Sequence, residues 1–477
     1  MIKDLTVGKP MKRIIAFTIP VVIGNIFQQL YSIIDTLIVG RTLGLDALAA
    51  VGATGAISFL IIGFIQGITA GFAVITAKYF GAHDEAMVRK SVGASMLLAV
   101  AVTVVMTAVA VLTAMPLLKL MATPDNIMIG AYQYIVAIFY GIFATVFYNL
   151  FSNILRALGD SRTPLIFLLV ATLINIVLDY VFIVYCNMGV AGAGWATVVA
   201  QAVSALLCLV YSLKKFEILR LKKSDFVVTL RFMWEHVRVG LPMAFQFSIT
   251  AIGMMVVQSV LNGYGSLTVA AYTAASKIDS LIGQTVLMAL GVTSATFAAQ
   301  NYGAKQYDRI RQGIRDCMKL GVMLSVFGLA FVILAGKPLM RLFVENVDPA
   351  LMAEVEELGM TYLILNAAFY ILLAAVFVYR NALQGMERSA ITMLAGVAEL
   401  AMRSASTILL GAIWGYAGIC VASPMAWLGA DILLLAVYLP LIRRLMHPNR
   451  RRMARVDVSD WQFRERMSAL SHAFFLH

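Results

Sequence analysis

Charge is scarce in this chain. Asp, Glu, Lys and Arg make up 13% of its 477 residues, where a soluble domain carries about 25%. Cysteine is rarer still: Cys186, Cys208, Cys317 and Cys420 lie in or beside apolar segments with no C-x-x-C spacing, which excludes a disulfide scaffold and gives no metal site. The five histidines form no ligand cluster. The Walker A loop, G-x-S-x-G, H-E-x-x-H and the potassium-filter T-V-G-Y-G are all missing, which removes ATP hydrolysis in cis, the common hydrolases and a potassium channel. No catalytic constellation and no cofactor are expected. What the chain has instead is oil. Hydrophobic residues reach 61% and mean hydropathy is +0.87, which excludes a soluble globule, a coiled coil, collagen and disorder. The net charge of +12 then reads as the basic loops of a membrane protein and not as a nucleic-acid-binding face.

A spanning helix needs about 20 apolar residues. Such runs fall at 14–39, 48–77, 92–114, 131–155, 164–187 and 190–213, then at 237–262, 268–299, 316–338, 357–383, 390–411 and 416–442. They are continuous, unlike the short alternating strands of a barrel. The first run follows a polar basic segment, Met1 to Arg13, exceeds a signal-peptide core and contains Asp35, so it is expected to be a retained span. The basic residues crowd onto one set of alternate loops, including Lys214 to Arg238, Lys305 to Lys319, Arg380, Arg388 and the tail from Arg443. The other set holds only Arg41, Lys119, Lys337 and Arg341. That asymmetry puts both termini in the cytoplasm.

The chain also repeats itself. After Pro20 come AKYFGAHDEAMVRK and RALGDSR; after Pro242 come AQNYGAKQYDRIRQ and NALQGMER. Pro20 and Pro242, like Gly81 and Gly303, are offset by 222 residues. Gly189-Val-Ala-Gly and Gly415-Tyr-Ala-Gly are offset by 226. Six spans per half insert both halves in the same sense, as in one class of secondary transporter. The expected fold is an all-α integral membrane protein, twelve transmembrane helices in two parallel six-helix repeats around a central cleft. Its expected parts are a first lobe at 1–213, a cytoplasmic linker at 214–236, a second lobe at 237–442 and a basic tail at 443–477.

An ionisable group inside a bilayer is costly and marks a functional site by default. The candidates are Asp35, Asp179, Lys277, Asp279, Glu399, Arg403 and Asp431. Asp35 lies roughly 6 Å, and Asp179 about 12 Å, from the outer ends of their spans at 1.5 Å per residue. Thr197 has a depth similar to that of Asp179, and Asn175 is one turn away from Asp179 on the same face. Two acids, an amide and a hydroxyl at one level suit a small hard cation or a proton. The bland alternative is that the two acids are hydrogen-bonded glue between helices. Glu399 and Arg403, four apart with the acid first, are expected to be a structural ion pair. Lys277 could reach the cleft or snorkel to an interface, and Asp431 has no evident partner. The second half lacks the acid pair, since Asp35 falls on Val257 and Asp179 on Ala405. Met254, Met255 and Met288 can pack softly in any core, whereas Gln246, Gln258 and Gln284 need a partner or a wet cavity.

Taken in order, DTLIVGRTLGLDALAAVG, GITAGFAVITAKYFGAHD, RALGDSRTP, NIVLDYVFI and GVAGAGWATVVAQ resemble the multidrug and toxic compound extrusion (MATE) family, most closely its bacterial MepA-like and DinF-like members. The resemblance covers about 430 residues and leaves out only the tail. It implies alternating access driven by inward H+ or Na+ flow, and export of amphipathic, often cationic compounds. By motif position it assigns ion binding to Asp35, Asn175, Asp179 and Thr197, and a bend of the first helix to Pro20. The substrate cleft is assigned Gln28, Tyr31, Asn153, Met255, Gln258, Lys277, Gln284 and Met288. Two departures stand out: the interiors of spans 7 and 10 lack the acids of one family branch, and Lys78 replaces a glutamine that the second half keeps as Gln300.

The expectation is a monomeric, multi-pass plasma-membrane antiporter with no nucleic-acid partner. A lipid-linked oligosaccharide flippase is the first rival and would want several cleft cations. A membrane enzyme or receptor is the second and would want a catalytic or sensing unit that the sequence lacks. The tail segment WQFRERMSALSHAFF reads as an interfacial amphipathic helix or as disorder.

Overall fold

The computed structural model describes residues 4–121, 123–343 and 349–446; the tail segment WQFRERMSALSHAFF lies outside them. Two units are distinguished, one running to Leu434 and one beginning at Leu435. The second, among the described residues, is the closing turns of the last helix, to Met446; the first holds all the other helices. Every regular element among the described residues is helical. Ten helices are long and apolar enough to cross a bilayer singly, and two bent pairs bring the number of spans to twelve.

In chain order, span 1 is Pro10–Leu43, span 2 is Leu45–Ala53 with Gly55–Gly81, and span 3 is Glu85–Leu120. Span 4 is the bent pair Asp125–Tyr140 and Ile142–Ala157, span 5 is Arg162–Tyr185, and span 6 is Gly189–Lys215. Span 7 starts at Leu230 and runs to Tyr264, span 8 is Ser266–Gly303, and span 9 is Tyr307–Phe343. Span 10 is the bent pair Pro349–Ala367 and Tyr370–Gly385, span 11 is Ser389–Trp414, and span 12 is Tyr416–Cys420 with Ala422–Met446. The helices overrun the apolar stretches at most ends, because polar first and last turns still close their backbone hydrogen bonds in the interface. Span 7 thus begins within the stretch expected as linker.

Local chemistry explains several starts. Asp84 accepts from Met87 N at 3.0 Å to cap span 3, and Thr229 accepts from Phe232 N at 3.2 Å to cap span 7. Asp160 accepts from the backbone N–H of Arg162 and of Thr163, both at 3.1 Å, at the head of span 5. Each side-chain oxygen satisfies a donor that a helix start leaves bare.

The two halves repeat in backbone as well as in sequence. Spans 4 and 10 bend by 49° and 48°. Gly44 and Gly265 end spans 1 and 7 with φ of 88° and 89°, and Gly189 and Gly415 open spans 6 and 12 with φ of 58° and 60°. A side chain is strained in that left-handed region, which is why glycine holds these turns. His83 and Lys305, 222 residues apart, share φ of 56° and 58°. The same turn has been built twice.

The halves meet at the end that carries the amino terminus. There the helices touch backbone to backbone: a Cβ on Gly71 would lie 2.3 Å from Gly240 Cα, one on Gly81 would lie 1.9 Å from Gln300 O, and one on Gly303 would lie 1.8 Å from Lys78 O. Small residues permit this approach where lipid supplies no hydrophobic drive between helices. Side chains then stitch the seam. Gln300 accepts from Leu5 N at 2.9 Å and donates to Ala157 O at 2.7 Å. Lys78, its counterpart, pairs with Glu387 at 2.6 Å. Thr18 and Thr293 share a 2.8 Å hydrogen bond, and Asn25 donates to Thr285 O at 3.3 Å.

Candidate functional site

Span 1 carries Asp35 about two turns from its far end, and span 5 carries Asp179 in the turn before its helix changes pitch. Residues Val181–Tyr185 form a π-helical turn, a feature that recurs at functional sites. Both acids are buried, Asp35 at 7% and Asp179 at 0% exposure. Their carboxyls stand within hydrogen-bonding reach of each other. Asn175, fully buried, donates from Nδ2 to Asp179 Oδ2 at 3.0 Å and accepts from Thr197 N at 3.2 Å, the amide orientation that satisfies both its ends. Tyr31 donates to Thr197 Oγ1 at 3.1 Å. Spans 1, 5 and 6 therefore bring Asp35, Asn175, Asp179, Thr197 and Tyr31 into one cluster. Tyr31, assigned to the cleft from sequence, belongs to this acid cluster.

No cation faces the pair among the described residues: the groups acting on the two carboxyls are each other and Asn175. Asp35 Oδ1 is buried without a hydrogen-bond partner. The site is thus rich in hard oxygen and short of one positive charge, which suits a proton or a small hard cation as cargo. No group of three or more His, Cys, Asp or Glu side chains fit for a metal is found among the described residues. Tyr134 of span 4, 8% exposed, also lies within electrostatic range of Asp35, Tyr31 and Asp179. Sequence reasoning passed it over, since a lone tyrosine in an apolar run carries no spacing signal.

A family model described as MatE matches residues 20–181 and 242–421, most of the chain in two stretches. The chain belongs to the MATE family. It is a multi-pass membrane transporter of small molecules and not an enzyme. A probable multidrug resistance protein, YpnP of Bacillus subtilis, is 30% identical over 395 residues, covering 82% of this chain and 85% of that protein. The probable multidrug resistance protein NorM of Thermotoga maritima is 26% identical over 70% of this chain and 72% of its own length. A protein of Shewanella oneidensis named FAD transporter is 25% identical over 87% and 92%. Among solved structures, an outward-facing MATE transporter superposes with a TM-score of 0.84 at 22% identity, over 93% of this chain and 98% of that one. A transporter from Pyrococcus furiosus superposes with a TM-score of 0.85 at 23% identity over the same shares. Both show the fold.

The remaining residues of this MATE chain sort by what they touch. Gln28, Met255, Lys277 and Met288 are exposed. Gln258 is exposed and donates to Asn262 at 2.8 Å. Asn153 donates to Thr69 at 3.3 Å and accepts from Arg156 at 3.2 Å, apart from the acid cluster. Gln284 donates to Asp279 Oδ2 at 2.7 Å, and Tyr370 of span 10 donates to Asp279 Oδ1 at 2.6 Å. Asp279 is thereby fully buried with both oxygens met, beside a second π-helical turn at Ser280–Gln284. The helix of span 1 runs through Pro20, whose missing N–H frees the carbonyl one turn earlier.

Arg380 corrects the sequence reading. Counted there as a loop cation, it is 5% exposed and donates to Glu399 Oε2 at 2.5 Å, while Arg403 donates to Glu399 Oε1 at 2.8 Å. Glu399 thus joins two arginines from two spans. The physical reason is that Arg380 sits five residues before the helix end, where an arginine can turn inward to a carboxylate as readily as outward to water.

Proposed function

We propose that the protein is a cation-coupled antiporter that exports amphipathic, often cationic drugs or toxic compounds across the plasma membrane by alternating access. It works as a monomer with both termini cytoplasmic and without a cofactor, and H+ or Na+ is its coupling ion. The observation that carries this reading is the pair of buried carboxyls, Asp35 and Asp179, facing each other with no fixed cation beside them among the described residues. Two such groups cannot both stay ionised away from water without a positive partner. A proton or sodium ion supplies that charge, and its arrival changes what holds spans 1, 5 and 6 together. Asn175 and Thr197 orient Asp179, and Tyr31 ties span 1 to span 6. Coupling follows when ion and drug each prefer a different access state. Under this orientation the seam from Leu5 to Asn25 closes the cytoplasmic side, and the site faces outward. Kinship with proteins named for multidrug resistance and the one-sided basic loops support the cargo and the orientation.

The test is dye efflux from proteoliposomes under separately imposed pH and sodium gradients. Asp35→Asn and Asp179→Asn should each lower gradient-driven efflux by at least about tenfold, the loss of an essential neutralisation step of about 1.4 kcal/mol or more. Variants that pump at the wild-type rate overturn the mechanism. Cells expressing the wild type should accumulate less of a cationic dye than cells expressing either variant. The flippase alternative needs free cations for a pyrophosphate. Arg380 and Arg403 are both committed to Glu399, which, of the sequence's cleft candidates among the described residues, leaves Lys277.

A further inference from the structure

The second half holds a buried acid that neither the proposed coupling nor a hydrogen bond uses. Asp431 sits in the middle of span 12 and is 4% exposed, and neither of its carboxyl oxygens has a hydrogen-bond partner. Arg380 and Glu399 lie within its electrostatic range, as does Tyr379. Arg380 is itself incompletely bonded: Nη2 meets Glu399, but the buried Nε–H has no partner. Two unmet acceptors and an unmet charged donor therefore lie within electrostatic range of each other, the donor on an arginine already bonded to Glu399.

The charges bear on how this arrangement could be relieved. Arg380, Arg403 and Glu399 together carry one positive charge, and an ionised Asp431 would make the set neutral. An ionised carboxylate buried without hydrogen bonds costs several kcal/mol. Either of two events removes that cost: a proton on Asp431, or a swing of its carboxylate onto the free Arg380 Nε–H. We propose that Asp431 is a second intramembrane proton-binding site of this protein, and that its proton decides whether Arg380 ties span 10 to span 11 alone or to spans 11 and 12 together. The charged groups around it are Arg380 and Glu399, with Arg403 bonded to Glu399. A metal cation is disfavoured here, because two guanidiniums already occupy the cluster. This site lies in the half that lacks counterparts of Asp35 and Asp179.

Infrared difference spectroscopy of the full-length purified protein tests this without any transport measurement. A pH step should change the carbonyl stretch of a buried carboxylic acid, with the band shifting in D2O. That change should persist in the Asp35→Asn, Asp179→Asn double variant, lose a component when Asp431→Asn is added, and regain it displaced with Asp431→Glu. Arg380→Lys, which keeps the charge but removes the Nε donor, should move the titration midpoint upward by about one pH unit or more. A band unchanged by Asp431→Asn in protein that elutes and melts as the wild type does overturns the assignment, as does its absence from the double variant. An unmoved midpoint in Arg380→Lys overturns the exchange of partners. Loss of transport in Asp35→Asn with the Asp431 band intact separates this site from the antiport reading.

Discussion

At the scale of single residues, Lys78 and Gln300 show how a repeat diverges without losing its seam. Each occupies the same place in its half, and each reaches across to the other half near the end of span 4 or span 10. Gln300 does so with a neutral amide shared between Leu5 N and Ala157 O, and Lys78 with a charge on Glu387, the side chains about a quarter exposed. An ion pair with that exposure is worth about 0.5–1 kcal/mol. Lys78→Met should therefore open the seam about two- to fivefold more often, read as a broadened distance distribution between spin labels on either side of it. A distribution identical to the wild type would show that the glycine contacts alone hold the seam. The same scale marks what the sequence could and could not tell. Asp35, Asp179, Asn175 and Thr197 were legible because a charge or amide in an apolar run stands out, and depth along a helix follows from residue counting. Arg380 was not, since an arginine near a helix end faces water or protein with equal ease, and only a partner in another span decides. Tyr134 was invisible for a similar reason: aromatic rings are ordinary in membrane helices.

Among whole elements, the π-helical turns of the described residues each follow a buried acid. The π-helical turn of span 5 follows Asp179, and that of span 8 follows Asp279. One extra residue per turn leaves carbonyls and side chains locally re-aimed, which is how Gln284, five residues after Asp279, bonds its carboxyl. No periodicity in the sequence marks such a turn, because hydrophobic pattern reports an average pitch. The bends of spans 4 and 10 were likewise unreadable within their apolar runs. The seam between halves, by contrast, rests on a visible feature, glycines repeated 222 residues apart. Gly303→Val should be incompatible with the closed seam, because its Cβ would overlap Lys78 O. Overpacking of this kind costs about 1–3 kcal/mol, enough to shift a two-state equilibrium about 5- to 150-fold toward the form open at this end. Thiol reagents should then reach a cysteine placed in the seam faster than in the wild-type background. Equal rates would mean that the helices part without altering access.

Taken whole, the molecule has a polarity that its charges impose and its cysteines can report. Basic residues crowd the loops at the end with the amino terminus, and that same end carries the seam, so orientation and access state are one question. If the positive residues face the cytoplasm, the connection between spans 5 and 6 faces outward. Cys186 lies in that connection and is exposed, whereas Cys208, Cys317 and Cys420 are buried. A membrane-impermeant maleimide added to intact cells should therefore label the native protein, and Cys186→Ser should abolish that labelling without lowering expression. Lysing the cells first should add little, because the three other thiols sit among packed helices at 0%, 0% and 1% exposure. Labelling that appears only after lysis would turn the protein over in the membrane. The seam would then close the outer face, the acid cluster would open to the cytoplasm, and the ion gradient would enter the cycle from the opposite side.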